Sequence, residues 1–284
     1  MRVVLTTLCL LVCAVGADEA PKKRLLKVKI RTGDRLTGTN TVSFDITTSV
    51  RVGDDEELRS ELVQRTEKFV DEVKQAGELG VIEIERKYLT RYEKIRSEKL
   101  GRPEIIRSPL SGRTVFIREK NRRREVKRKD SVRLDAIARR TIGMEMDWRD
   151  ILSDDPVAPG DTWTADSTAL ARRLAAHFDC GTRSTMEVRY EADIEHEGAM
   201  CAKFYVDWKV EGMRDRNLFT KVVLAGDVYF DLEQSRFVTI DLGGRLLVRG
   251  AIILKKGAPR IIKGQGPVSL KSTLKAAPVQ AAAE

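Results

Sequence analysis

The chain has few of the residues on which enzymatic catalysis usually depends. Histidine occurs only twice in 284 residues, at His177 and His196, and aromatic residues make up 6% of the composition. The sequence contains no Gly-x-Ser-x-Gly elbow, no His-Glu-x-x-His pair, no phosphate-binding glycine loop and no Cys-x-x-Cys pair. These absences predict a protein that is not an enzyme and that carries no cofactor.

Cysteine is also scarce, and only Cys180 and Cys201 lie outside the apolar amino-terminal run. With the two histidines they provide the imidazole and thiolate ligands of a tetrahedral zinc site. The alternating pattern around Cys201 puts it on a polar strand face, so no metal site is predicted. A Cys180–Cys201 disulfide remains an alternative, although a hairpin about Glu197 would place Cys201 opposite Ile194.

Long apolar runs are absent after the amino terminus. Residues 3–15 are almost wholly apolar, follow Met1-Arg2 and precede small residues that end at Ala17. About 13 apolar residues are too few for a membrane-spanning helix, which needs about 20. The pattern therefore predicts a signal peptide, residues 1–17, that is cleaved after Ala17 and takes Cys9 and Cys13 with it. We expect the mature chain to be secreted or periplasmic, with no transmembrane span.

The net charge of +9 favours anionic partners such as lipid head groups or envelope polymers. The most basic stretch runs from Arg118 to Asp130 and contains no aromatic residue for base stacking, so nucleic acid is not an expected partner. A solvated charged hairpin is the alternative to a binding surface. If the stretch has an anionic partner, the predicted contacts are Arg122, Arg123, Arg124, Lys127 and Arg128.

Apolar residues alternate with polar ones over long stretches and keep to even numbers, in residues 26–30, 42–52, 186–194, 200–210, 222–232 and 238–254. Because side chains of a strand point alternately to two faces, these runs predict antiparallel strands with one buried face. Residues 195–198 and 233–235 are predicted hairpin turns, and residues 268–274 a predicted edge strand. Gly243-Gly244 either bends one long strand or forms a turn between two.

The first half differs, because apolar residues at 62, 69, 73 and 76 and at 84, 88, 92 and 95 follow a helical spacing. Two helices are predicted there, with a strand at 81–84 as the alternative. A shorter helix is predicted over residues 166–176, capped by Asp166 or Ser167, and residues 110–129 are predicted as short charged strands or a hairpin. Residues 276–284 are predicted to be a disordered tail.

The predicted fold class is therefore α+β and β-rich. A curved antiparallel sheet, half-barrel-like, has one apolar face covered by a few helices, within a single domain from 18 to 275. We expect a non-enzymatic binding or scaffolding module of the cell envelope. A lipid or other apolar ligand fits if the helices leave the concave face unfilled, and a completely packed core is the alternative. The predicted lining of such a cavity is Phe44, Val188, Tyr190, Phe204, Trp208, Phe230 and Ile240.

Residues 154–163 ("DDPVAPGDTW") concentrate carboxylates, prolines and a tryptophan. A hydrolase site built from Asp154, Asp155 and Asp161, or a calcium site, is one interpretation. We favour a structural loop in which Pro159-Gly160 forms the turn, Asp161 braces it and Trp163 enters the core. This loop would join the charged first half of the chain to the strand-rich second half.

The same stretch carries a resemblance to a family. "PVAPGDTW" (Pro156–Trp163) resembles a Pro-Val-x-x-Gly-Asp-x-Trp element of uncharacterised exported bacterial proteins, and "LSGRTVFI", "GAMCAKF" and the segment Leu224–Leu246 resemble further blocks of that family. The resemblance implies an exported β-rich protein without an established activity. The one-faced sheet also resembles the architecture of periplasmic lipoprotein carriers, whose half-barrel holds acyl chains.

Overall fold

Twelve strands and one α-helix occur in the residues that the computed structural model describes, which are 22–77, 80–97, 101–120, 123–134, 142, 148–176, 183–214, 217–252 and 259–276. The strands are β1 (Arg35–Val52), β2 (Asp55–Gly77), β3 (Gly80–Ser97), β4 (Glu104–Arg107), β5 (Thr114–Lys120), β6 (Arg123–Arg128), β7 (Thr162–Ala165), β8 (Arg183–His196), β9 (Ala199–Arg214), β10 (Leu218–Asp231), β11 (Arg236–Ile252) and β12 (Arg260–Ala276). The helix is α1 (Thr168–Ala176), and a 3-10 turn spans Arg149–Ile151.

The described strands form one antiparallel sheet in the order β6-β5-β3-β2-β1-β12-β11-β10-β9-β8-β7, with β4 paired to β3. Strand β1 pairs with both β2 and β12, so the first and last strands lie side by side near the middle of the sheet. The sheet thus consists of two meanders, one of β1 to β6 and one of β7 to β12, which are joined by the pairing of β1 with β12. This open, curved sheet confirms the predicted β-rich, half-barrel-like fold class.

The even-numbered alternation correctly locates β8 to β11. In β8, Met186, Val188 and Tyr190 are buried while the odd residues between them are exposed. The turn between β8 and β9 uses Glu197 (φ 51°) and Gly198 (φ 83°), a pair of positive values typical of a tight two-residue hairpin. The turn before β11 agrees with the hairpin prediction for residues 233–235. Strand β11 runs through Gly243-Gly244 without a break, which agrees with the alternative of one long strand.

The prediction of two helices across residues 56–98 is wrong, because residues 56–77 and 80–97 belong to the long strands β2 and β3. Apart from Thr66, the buried positions of β2 have odd numbers, at Val63, Glu67, Phe69, Asp71 and Val73, but two of these five residues are acidic. Their carboxylates are buried because arginines of β3 pair with them. A search for alternating apolar residues therefore misses the strand, whereas the alternative of a strand at 81–84 is confirmed within β3.

Two other strand predictions need correction. Residues 26–30 lie outside the named strands, in an extended segment that forms an isolated bridge between Arg24 and Val157. Strand β12 is a central strand between β1 and β11 and not an edge strand, because its pairing partner β1 comes from the start of the chain. The charged hairpin β5–β6 and the helix α1, where Asp166 Oδ1 accepts the Thr168 N–H at 3.0 Å, agree with the predictions.

Two hydrophobic cores lie within the described residues. The first core packs the even-numbered residues of β8–β11 against α1, Trp148 and Ile151. The second core lies at the other end of the sheet and is built by β2, β3 and β5 around Phe69, Tyr88 and Val115. The expected cover of several helices is thus replaced by one helix, loop side chains and the curl of the sheet.

Candidate ligand-binding cleft

A cleft opens where the two cores approach each other without joining. Twelve of its twenty lining residues are apolar. The first core contributes Trp148, Phe237 and Ile240, and the second contributes Ile117 together with Leu274 of β12. The cavity holds about 110 Å³, of the same order as the ~150 Å³ apolar cavity that accommodates a benzene ring. It can take a ring or the end of an acyl chain.

An extended segment, residues 22–34, crosses the cleft, and we call it the strap. Its Val28 and Ile30 line the cleft. Backbone hydrogen bonds hold the strap in its middle, from Lys29 N–H to the Ser235 carbonyl at 2.8 Å, and near its last residue, from Gly33 N–H to the Val73 carbonyl at 2.8 Å. The strap therefore links the β10–β11 turn to β2 and contributes to the lining of the cleft between the two cores.

The first residues of the strap are held by charge. Arg24 Nη2 lies 2.6 Å from Asp193 Oδ2, and the Tyr190 hydroxyl donates a hydrogen bond to the other oxygen of the same carboxylate. Burial is the main cause that raises the pKa of Tyr190 above its ordinary value, with the Asp193 carboxylate adding to it. Tyr190 therefore remains a hydrogen-bond donor throughout the physiological pH range.

A buried ion pair between β2 and β3 lies in the cleft wall. Arg86 is 0% exposed and binds Asp71 through two hydrogen bonds, Nε to Oδ1 and Nη2 to Oδ2, both 2.7 Å. The guanidinium also lies 3.9 Å from the centre of the Phe69 ring. Such a bidentate pair offsets the cost of burying both charges and places a fixed cationic group beside apolar surface.

Arg236 adds a second cationic group to the lining. Its Nε is buried and has no hydrogen-bond partner among the described residues. A buried donor without a partner costs free energy, which a ligand acceptor would recover. With Lys29, Arg86 and Arg149 the lining holds four cations against the two carboxylates Asp34 and Asp71, so the cleft favours an anionic group.

The structure separates the seven residues predicted to line a cavity. Ile240 lines the cleft. Five others are fully packed within the first core and have at most 1% exposure, namely Val188, Tyr190, Phe204, Trp208 and Phe230. Phe44 is half-buried against the same core. A ligand contact at these six residues stays a prediction. The cleft itself lies between the first core and the second core.

The basic stretch from Arg118 to Asp130 forms the edge hairpin β5–β6. Arg118 pairs with Glu83 and Lys129 with Glu85 at 2.9 Å, so part of its charge is neutralised by β3. Arg128 pairs with Asp130, and Lys127 lies 4.0 Å from Glu125. Arg122 and the side chains of Arg123 and Arg124 lie outside the described residues. Contact with an anionic surface by these five cations remains a prediction.

The loop at residues 154–163 is structural, as favoured from the sequence. The Asp161 N–H donates to the Ala158 carbonyl and its carboxylate accepts the Ala158 N–H, both at 3.0 Å, which closes the turn at Pro159-Gly160. These contacts and Lys23 hold the pKa of Asp161 below its ordinary value. Trp163 donates to the Ile151 carbonyl at 2.8 Å and packs edge-on against a core aromatic ring.

The carboxylates of this loop do not form an acid pair. Asp154 and Asp155 are exposed, while the Asp161 carboxylate serves the turn and Lys23. The described residues contain no group of three metal-ligating side chains. The geometry therefore gives the hydrolase and calcium interpretations no support.

Cys201 shares the face of Lys203, as its odd number predicts, but that position is 0% exposed and not solvated, and it lies opposite Ile194, the predicted hairpin partner. The register shift between Tyr190 and Ala192 changes the parity of β8 and not that of β9. The Cys201 thiol is free, and burial raises its pKa to about 11. Cys180, needed for the disulfide and zinc alternatives, and His177 lie outside the described residues, while His196 stacks on Tyr229 at 3.8 Å.

Sequence reasoning missed the most distinctive residues of the cleft, which are Asp71, Arg86 and Arg236. The first two were assigned to predicted helices, and Arg236 follows a hairpin turn where arginine is common. The odd-numbered spacing of Glu67, Phe69, Asp71 and Val73 is the one pattern that points to a strand with buried carboxylates.

No protein-family model and no curated protein sequence matches the chain. Among solved structures it is similar to lipovitellin, in a structure of its lipid–protein interactions, at 9% identity and a TM-score of 0.49 over 90% of this chain. The chain spans about a quarter of that chain, 27%. It is similar to a DUF1329 family protein from Desulfovibrio piger, at 10% identity and a TM-score of 0.16, over 85% of this chain and 87% of that one.

A third similar structure is a domain assigned to outer membrane lipoprotein sorting from Vibrio parahaemolyticus. It shares 8% identity at a TM-score of 0.12, over 85% of this chain and 87% of that chain. Identities and TM-scores this low transfer no property to the present chain. Separately, no helix in the described part of the chain has the length and apolar character needed to cross a membrane.

Proposed function

We propose that the protein is a non-enzymatic binding module of the cell envelope whose cleft holds an apolar ligand with an anionic end. The observation that carries the proposal is the buried Nε of Arg236, which has no partner among the described residues, in a lining that is mostly apolar. The apolar part of the ligand would lie between Ile84 and Ile240, and its anionic end would accept from Arg236. Fatty acids and other acidic amphiphiles have this chemistry.

The two-walled shape of the cleft supports the proposal. One wall belongs to the first core and the other to the second, so occupation would bring the two cores into contact through the ligand. Burial of apolar surface supplies affinity at about 25 cal/mol per Å², while the charged group sets the orientation. The cleft would take the end of a chain, whose remainder would extend through the open mouth.

The test compares palmitate with hexadecanol, which has the same chain length without the charge. Palmitate should bind more tightly, and Arg236→Met should abolish the difference, a loss of roughly 10–100-fold for a charge-assisted hydrogen bond of about 1.5–3 kcal/mol. Arg107→Met is the matched control, since Arg107 lies on β4, is exposed and is outside the cleft. Isothermal titration calorimetry measures both ligands.

A second pair of variants tests where the chain lies. Ile82→Trp places a larger side chain at a half-buried position of the lining and should weaken both ligands, whereas Ile106→Trp on exposed β4 should not. Native mass spectrometry of gently purified protein should also show a bound amphiphile. If neither probe binds and no ligand co-purifies, the cleft is merely a gap between two cores and the proposal is wrong.

A further inference from the structure

The face of the sheet opposite the first core carries an unusual combination of exposed apolar and basic side chains near the β11–β12 end. Residues paired across antiparallel strands point to the same side of the sheet, so the register identifies the members of each row. We call the set the outer patch, and it consists of Leu58, Met213, Leu247, Ile261, Lys221, Arg245, Arg249 and Lys263.

One row of the outer patch crosses six strands. Met213 pairs with Phe219, Phe219 with Arg249, and Arg249 with Lys263. The row continues from Lys263 through Ser49 to Leu58. Since adjacent strands lie about 4.8 Å apart, the row extends roughly 24 Å. The outer patch is therefore a broad surface formed by six strands and not by a single loop.

The apolar members of the outer patch are open to solvent. Leu58 is 64% exposed, Met213 45%, Ile261 38% and Leu247 37%. The Phe219 ring adds apolar surface between them and lies 5.0 Å from the guanidinium of Arg249. Exposed apolar side chains that cluster in this way mark surfaces with a binding partner.

The cations of the outer patch take part in none of the ion pairs that described residues form on this face, although Lys221 lies opposite Glu211, which pairs with Lys209 at 3.3 Å. No described residue forms an ion pair with Arg245, Arg249 or Lys263, all exposed, or with the half-buried Lys221. The other end of the same face behaves differently, because Lys203 pairs with Asp227 at 3.2 Å and Lys271 with Asp241 at 2.9 Å. Cations that form no ion pair with a described residue are thus concentrated among the exposed apolar residues.

We propose that the outer patch docks the protein on an anionic lipid bilayer. Lys and Arg would approach the phosphate groups while Leu58, Leu247 and Ile261 enter the head-group region, because a charged surface with apolar side chains matches the interface between lipid head groups and acyl chains. A soluble polyanion would use the cations alone and leave the apolar side chains in water. The proposal does not depend on the cleft, which lies elsewhere.

The test is co-sedimentation of the full-length protein with vesicles of phosphatidylcholine plus phosphatidylglycerol and with vesicles of phosphatidylcholine alone. All variants carry the same amino terminus, so its contribution cancels. The anionic vesicles should bind more protein. The excess should fall when NaCl rises from about 0.1 M to about 1 M, since the screening length drops from about 10 Å to about 3 Å.

Two double variants separate the outer patch from net charge. Arg245→Gln with Arg249→Gln should lower partitioning to anionic vesicles roughly 30-fold, about fivefold per charge. Lys87→Gln with Arg107→Gln removes two exposed charges on β3 and β4 and should change it less than twofold. Equal losses in both doubles, or no preference for anionic vesicles, would overturn the proposal.

A third double variant separates a bilayer from a polymer. Leu58→Ser with Leu247→Ser keeps every charge and should weaken vesicle binding at least fivefold, while binding of polyphosphate stays the same. If this variant binds vesicles as the parent protein does, the surface recognises charge alone and a bilayer is not its partner. If the parent forms a dimer that the variant does not, the patch is a protein interface instead. Thermal melting curves check that all variants are folded.

Discussion

Removing one partner of the buried ion pair should destabilise the protein by about 3–5 kcal/mol, because the remaining buried charge would lose both hydrogen bonds of the pair. Asp71→Leu is the sharpest form of this change. Arg86 is 0% exposed and Asp71 4%, so the neighbouring cleft leaves both groups poorly hydrated. For a domain of this size the loss corresponds to a fall in Tm of roughly 6–20 °C.

The double variant tests whether charge burial is the cause. Asp71→Leu with Arg86→Met removes both charges and keeps an unbranched side chain over the Phe69 ring, which the guanidinium now approaches to 3.9 Å. Replacing a whole buried pair by apolar residues is often neutral or stabilising. The double variant should therefore be more stable than Asp71→Leu alone, even though it carries one more substitution.

Urea unfolding measured by circular dichroism gives these free energies, and Asp241→Leu is the matched control. Asp241 forms an ion pair with Lys271 at 2.9 Å, but the two side chains are 50% and 59% exposed. A surface pair contributes about 0–1 kcal/mol, so its loss should be small. Equal costs for Asp71→Leu and Asp241→Leu, or additive costs in the double variant, would refute the reasoning.

Three further predictions concern other parts of the sheet. Gly38→Ala should cost about 1–3 kcal/mol in urea unfolding, because the new Cβ would lie 2.2 Å from the buried ring of Phe69; an unchanged midpoint would contradict it. Lys129 lowers the pKa of Glu85 and Arg189 that of Glu191, so these carboxylates stabilise the fold above their unfolded pKa of about 4 and lose this effect as pH falls further. Tm should therefore drop below about pH 4, and less steeply in Glu191→Gln. Cys201, buried with a pKa raised to about 11, should resist iodoacetamide at pH near 8 until urea unfolds the chain, as peptide mass spectrometry would show.

Much of the second half of the sheet could be predicted from the sequence. The even-numbered alternation locates β8 to β11, and Gly198 supplies a residue type that favours the positive φ of a tight turn. The loop around Asp161 was also predictable, since proline, glycine and aspartate restrict the backbone locally. These features depend on neighbours in the sequence, which is why one sequence suffices to find them.

The cleft was not predictable in the same way. Its walls come from residues far apart in the chain, such as Val28, Arg86 and Arg236, which meet only because β1 pairs with β12. The seven predicted lining residues share one face of the sheet. The alternation that identifies this face does not show which part of it is covered by other side chains and which part borders a cavity. That depends on how the two cores approach each other.

By itself the sequence determined that the second half of the chain forms antiparallel strands with one apolar face, because alternation is a local consequence of strand geometry. It also determined a positive net charge with few residues suited to catalysis. Only the tertiary structure decided that Asp71 and Arg86 are buried together, that Arg236 faces an apolar cleft, and that the unpaired cations gather at one end of the outer face. These properties depend on strand pairing across the whole chain, which no local pattern encodes.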